Sequence, residues 1–90
     1  MGNRKNENEK PMQFPVSDLA LNTALACEGI FPSTVDRKDP RRIAFLYQDT
    51  YEFQKTVESF WNRSLLIEPQ TFYQNLKIIK ARIYADREGR

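Results

Sequence analysis

The side chains of this chain best suited to chemistry are cations set beside aromatics. Arg41 and Arg42 open the alternating segment Arg41-Arg42-Ile43-Ala44-Phe45-Leu46-Tyr47-Gln48, and Arg37 and Lys38 lie just before it, against Asp36 and Asp39. Guanidinium and ammonium groups bind phosphate or carboxylate, and an exposed ring can stack on a base. A second basic set, Lys77, Lys80, Arg82, Arg87 and Arg90, crowds the end of the sequence, where it also complements a helix dipole. Arg37, Lys38, Arg41, Arg42, Lys77, Lys80 and Arg87 are the candidate contacts to nucleic acid or a partner. The plainer alternative is a solvated face with helix-end charges. Arg42, with apolar neighbours, is expected to find Glu52 or Asp49.

Most catalytic and metal chemistries lack their residues. There is no histidine, which removes the usual general base, the Ser-His and Cys-His nucleophile systems and the commonest metal ligand. The single cysteine, Cys27, excludes a cysteine zinc site or a disulfide within the chain, reads as a small buried hydrophobe and favours a reducing, cytoplasmic setting. Glycine occurs only as Gly2, Gly29 and Gly89, which leaves no phosphate-cradling loop. Asp36 and Asp39, among four cations, are expected to pair locally. No catalytic residue, metal or cofactor is expected, and the chain reads as non-enzymatic.

The Arg41 segment partly resembles the strand motif of RNA-recognition domains. Arg41, Ala44, Phe45 and Leu46 match; Arg42 replaces a glycine, Ile43 an aromatic, and Gln48 closes the segment without a ring. The order of elements departs from that fold by ending in a helix. A domain this small needs its aromatics for a core, so Ile43, Phe45 and Tyr47 are expected to pack under a helix.

The elements that must position these groups follow from periodicity and punctuation. Residues 1–11 are charged and Asn-rich and read as a disordered arm. Residues 12–16 form a short strand, at a sheet edge because of Pro15. Ser17 caps a helix over roughly 18–28 with Leu21, Ala24, Leu25, Ala20 and Cys27 inward, ended by Gly29. Residues 30–35 make a second strand, 36–40 a turn and 41–48 the third strand, with Ile43, Phe45 and Tyr47 on one face. Asp49 and Glu52 suggest a capping box for a helix over about 50–63 with the stripe Phe53, Val57, Phe60 and Trp61. Residues 65–67 form a fourth strand or an extended crossing. Glu68-Pro69 starts a last helix with Phe72, Leu76, Ile79 and Ile83 inward. The order is β-α-β-β-α-(β)-α, an α+β domain with a small, mainly antiparallel sheet and three helices, over residues 12–86, with 87–90 a frayed basic tail.

Ninety residues with a formal charge of +2 allow one domain and are too near neutral to announce a nucleic-acid binder. No apolar run is long enough for a membrane span, and no secretory signal or membrane association is expected. At Ser17-Asp18-Leu19-Ala20, Gly29, Arg41-Arg42 with Phe45, the Trp61 region, Leu76-Lys77 and Ile83-Tyr84, the chain resembles a small domain of unknown function found in bacteria, archaea and their viruses, over about residues 13–85. The resemblance implies a standalone α+β domain, often encoded by mobile elements, with no activity to transfer. The favoured function is an accessory protein that docks on a larger protein or nucleoprotein, or self-associates, through its last helix, with Tyr73, Ile78 and Tyr84 as a second apolar strip. The alternative is nucleic-acid binding by a basic face, which requires residues 37–42 and 77–90 to share one surface.

Overall fold

The computed structural model describes residues 12–87, with side chains described through residue 85. The expected arm, residues 1–11, and residues 88–90 of the expected tail lie outside the described residues. The elements are β1 (Gln13–Val16), α1 (Leu19–Cys27), β2 (Thr34–Asp36), β3 (Ala44–Gln48), α2 (Tyr51–Trp61) and α3 (Pro69–Arg87).

The sheet is antiparallel, in the order β1-β3-β2. β1 pairs with β3 through Phe14↔Tyr47 and Val16↔Phe45, and β2 pairs with β3 through Val35↔Phe45. β1 and β2 therefore run parallel to each other, with α1 crossing between them over the inserted β3, a split βαβ arrangement. β1 lies at an edge, where Pro15 removes no bond the sheet needs. The period of two puts Phe14, Val16, Val35, Phe45 and Tyr47 on one face and Gln13, Pro15, Thr34, Leu46 and Gln48 on the other. The first set joins the core with Leu21, Leu25, Phe53 and Ile79 from the three helices.

β3 starts at Ala44, so Arg41, Arg42 and Ile43 belong to the loop and not to the strand. The reason is β2: it spans three residues and its last pair is Asp36↔Ala44, so nothing remains for Arg41 and Arg42 to pair with. Residues 65–67 take the extended-crossing option. Leu66 is 89% exposed, and the segment spans the surface between α2 and α3 without pairing.

The helix caps shift by one residue from the expected positions. Asp18, not Ser17, caps α1, its Oδ1 accepting the Leu21 N–H at 2.8 Å. Thr50, not Asp49, caps α2, its Oγ1 accepting the Phe53 N–H at 3.1 Å, while Asp49 accepts from Gln54. Only a side chain at the N-cap can reach the N–H of the third helical residue, so geometry chooses between adjacent polar residues. The last helix starts at Glu68-Pro69 as expected; the Glu68 carboxylate accepts from the Gln70 and Thr71 N–H groups, and those bonds hold its carboxyl below the usual carboxylate range.

Residues 21–25 of α1 are all buried, because α2, α3 and the sheet surround the helix. Ala20, expected inward, is exposed, and Cys27 is half-buried: both fall at the ends, outside this fully enclosed stretch. In α3 the expected stripe faces in, with Ile79 buried and Phe72, Leu76 and Ile83 half-buried.

Candidate nucleic-acid interface

α1 and α3 run antiparallel. At one end the Cys27 Sγ lies 3.9 Å from the Thr71 carbonyl in the first turn of α3; at the other, Ser17 and Asp18 share a hollow with Ile83, close to the end of α3. The hollow is about 340 Å³, and its remaining walls are Pro40, Arg41, Arg42 and Ile43. The loop after β2 is thus folded against the C-terminal half of α3, and Lys80 lies about one turn before Ile83.

The two segments carry most of the cations among the described residues. Arg37, Lys38, Arg41 and Arg42 are on the loop, Lys77, Lys80 and Arg82 on α3; between residues 12 and 85 only Lys55 and Arg63 are cations elsewhere. Residues 69–85 contain no carboxylate, whereas Glu28, Asp49, Glu52, Glu58 and Glu68 all lie off these two segments. The loop's own carboxylates build its turns: Asp36 accepts the Lys38 N–H and Asp39 the Arg41 N–H, both at 3.0 Å. The Arg41–Asp39 ion pair is long, 3.9 Å, with the arginine side chain 92% exposed, a geometry of little energetic weight. Arg42 does not pair with Asp49 or Glu52, because it sits in the loop rather than on β3. Asp18 is the carboxylate that lines the hollow, occupied by its capping bond. The Arg87 side chain lies outside the described residues, although α3 runs through that position. Among the described residues no cluster of acidic groups and cysteine could hold a metal ion.

On α3, Tyr73 and Tyr84 are 59% and 52% exposed. Their spacing, with Lys77 and Lys80 between them at i+4 and i+7, places all four on one face. The Lys77 Nζ lies 5.0 Å from the Tyr73 ring centroid, a cation–π contact between two exposed side chains. Ile78 is also exposed, but it lies about 140° around the helix from Tyr73. The expected strip of Tyr73, Ile78 and Tyr84 therefore does not form, since the helical period separates Ile78 from the tyrosines.

The aromatics of β3 are core, as their packing under a helix required. Phe45 and Tyr47 are each 1% exposed, and the Arg82 guanidinium caps the Phe45 ring at 5.6 Å. The resemblance to an RNA-recognition strand stops here, because the outward side chains of this strand are Ala44, Leu46 and Gln48. The Tyr47 hydroxyl donates to the Asn22 Oδ1, and the Asn22 Nδ2 donates to the Val16 and Asp18 carbonyls at 3.0 and 2.9 Å. Burial pushes the Tyr47 hydroxyl's pKa up, opposed in part by the nearby Arg82 charge. Burial likewise pushes the Cys27 thiol up, the opposite of what a reactive cysteine needs.

A second surface escaped the sequence reading. An open groove of about 520 Å³ runs between β1, the start of α1 and α2, lined by Phe14, Val16, Leu21, Val57 and Trp61, with Arg42 at its margin. Trp61 is 62% exposed and meets Phe60 edge-on, their ring centroids 4.9 Å apart. Adjacent helical residues point about 100° apart, so Phe60 and Trp61 could not both have faced the core.

A protein-family profile described as Domain of unknown function (DUF5659) matches residues 12–85, and the chain belongs to that family. No curated protein and no solved structure matches it.

Proposed function

We propose that this family member is a non-enzymatic accessory protein that binds nucleic acid through the surface formed by loop 37–42 and α3, in a viral or mobile-element setting of the kind the resemblance implies. The observation that supports this reading most is the shared hollow of Arg41, Arg42 and Ile83. It sets the basic loop beside Ile83, about one turn from Lys80, and the nucleic-acid reading needs both segments on one surface. A formal charge of +2 would be a weak signal if evenly spread. Here Arg42, Lys77 and Lys80 make no ion pair with any described residue, and residues 69–85 around the two lysines contain no carboxylate. Such groups release counterions when they meet phosphates, and affinity then falls steeply with salt.

The test is anisotropy of labelled single- and double-stranded oligonucleotides at low and physiological salt. Binding that weakens with salt and with Arg41→Ala plus Arg42→Ala supports the reading. Salt-insensitive binding, or none at low salt, sinks it.

The exposed Trp61 on the β1–α2 groove favours a second reading, docking on a larger protein or on another copy. Trp61 is the single tryptophan, so its emission should shift to the blue as concentration rises if copies associate there. Light scattering of the wild type and of Trp61→Ala separates a dimer at this groove from a monomer.

A further inference from the structure

We infer that the basic surface takes single-stranded nucleic acid in preference to a duplex, with Tyr73 and Tyr84 stacking unpaired bases; this rests on the nucleic-acid reading above. A duplex hides its base faces and offers a basic surface only phosphate and groove edges. The face of α3 holds more than cations. Tyr73 and Tyr84 stand at its two ends, more than half exposed, with Lys77 and Lys80 between them.

The two rings are about 16 Å apart along the helix axis. A strand laid along α3 can meet an aromatic, two ammonium groups and a second aromatic in turn. That combination of phosphate contacts and ring faces is how sequence-tolerant single-strand binders work. Tyr73 and Lys77 also border an open recess with Gln70 and Gln74, room for a base turned against the ring. Near the other end Arg41 and Arg42 line the hollow beside Ile83, the residue before Tyr84. Neither tyrosine belongs to the core, so both rings are left more than half exposed and open to stacking.

The experiment compares oligothymidine of about 16 nucleotides with a duplex of equal length by anisotropy at low salt. The full chain is used as wild type, Tyr73→Ala plus Tyr84→Ala, the same pair changed to Phe, and Lys77→Ala plus Lys80→Ala. Circular dichroism melts confirm that each variant folds. The expected result is tighter binding of oligothymidine, a loss of about twenty-fivefold or more in the double Tyr→Ala variant, near-full retention in the Phe variant, and weakening toward both ligands in the lysine variant. Duplex binding equal to or tighter than oligothymidine, or indifference to Tyr→Ala, overturns the single-strand inference and leaves the nucleic-acid reading standing. Poly-glutamate bound as tightly as oligothymidine, or no binding of either oligonucleotide, overturns both.

Discussion

The Tyr47 hydroxyl donates a 2.6 Å hydrogen bond to the Asn22 Oδ1, and both residues are almost wholly buried, at 1% and 2% exposure. Asn22 in turn holds the carbonyls of Val16 and Asp18, so one amide ties the end of β1 and the cap of α1 to the central strand. The same stretch, 16–18, borders the hollow and the groove. A buried polar network thus fixes the backbone on which both candidate surfaces rest.

Removing one member of that network should be expensive. Tyr47→Phe leaves the Asn22 oxygen without its donor and should destabilise by about 1–3 kcal/mol; Asn22→Ala, which strands the hydroxyl and removes the amide's bonds to the Val16 and Asp18 carbonyls, should cost more. Urea denaturation of both single variants and the double variant checks this, and the two effects should couple rather than add.

The same hydroxyl sets a pH dependence. Its pKa is raised in the folded protein, so the folded state keeps a proton that the unfolded state gives up above about pH 10. Its contribution to stability is full below that value and is lost as pH rises beyond it. Denaturation midpoints of the wild type should therefore fall faster than those of Tyr47→Phe as pH rises from about 10 to about 12.

Two helix ends make opposite predictions. Gly29 closes α1 with a φ of 78°, and Arg63 closes α2 with a φ of 62°. Each end has the Schellman bonds, Ile30 N–H to the Leu25 carbonyl and Ser64 N–H to the Ser59 carbonyl, both 2.9 Å. A Cβ at Gly29 would meet nothing within 4 Å, so Gly29→Ala should cost only the backbone strain, about 1 kcal/mol. Arg63→Gly should relieve the same strain and stabilise by about 0.5–1 kcal/mol, read as a raised melting temperature.

Position decides what an aromatic is worth. Phe53 is 3% exposed and stacks on Tyr47 and Phe14 at centroid distances of 5.3 and 5.9 Å. Phe53→Ala should cost about 3–5 kcal/mol, a large share of the stability of a domain this size. Trp61→Ala, at an exposed position, should change stability by less than about 1 kcal/mol, so its effect on association can be read cleanly.

The salt slope counts phosphate contacts. If nucleic acid binds at the basic surface, Arg42→Ala and Lys80→Ala should each lower the slope of log affinity against log salt by about 1, while Lys55→Ala, on α2, should leave it unchanged.

Local rules made much of this protein legible without a structure. The period of two in residues 43–48 and the 72-76-79-83 spacing identified the inward faces of β3 and α3, because burial follows the repeat of the element. Gly29 and Glu68-Pro69 marked helix ends through backbone preference alone, and the need of a small domain for core aromatics placed Phe45 and Tyr47 inside. The caps slipped by one residue because Ser17 and Asp18, or Asp49 and Thr50, are equally suited by type. Ile78 is apolar like the tyrosines but lies about 140° around α3 from Tyr73, because the helical angle and not residue type decides which side chains share a strip.

Tertiary structure alone decided the rest. Asn22 lies in a helix where type and spacing give a polar residue no reason to be buried; only the Tyr47 hydroxyl and the Val16 and Asp18 carbonyls make that site favourable. The candidate interface depends on α1 and α3 running antiparallel, which carries Ile83 to the start of α1 and the loop 40–43 beside it. Sequence determines which side chains an element turns inward, since that depends on neighbours three or four residues away. Which charged segments meet across the surface depends on contacts between residues some forty positions apart, and no local period encodes them.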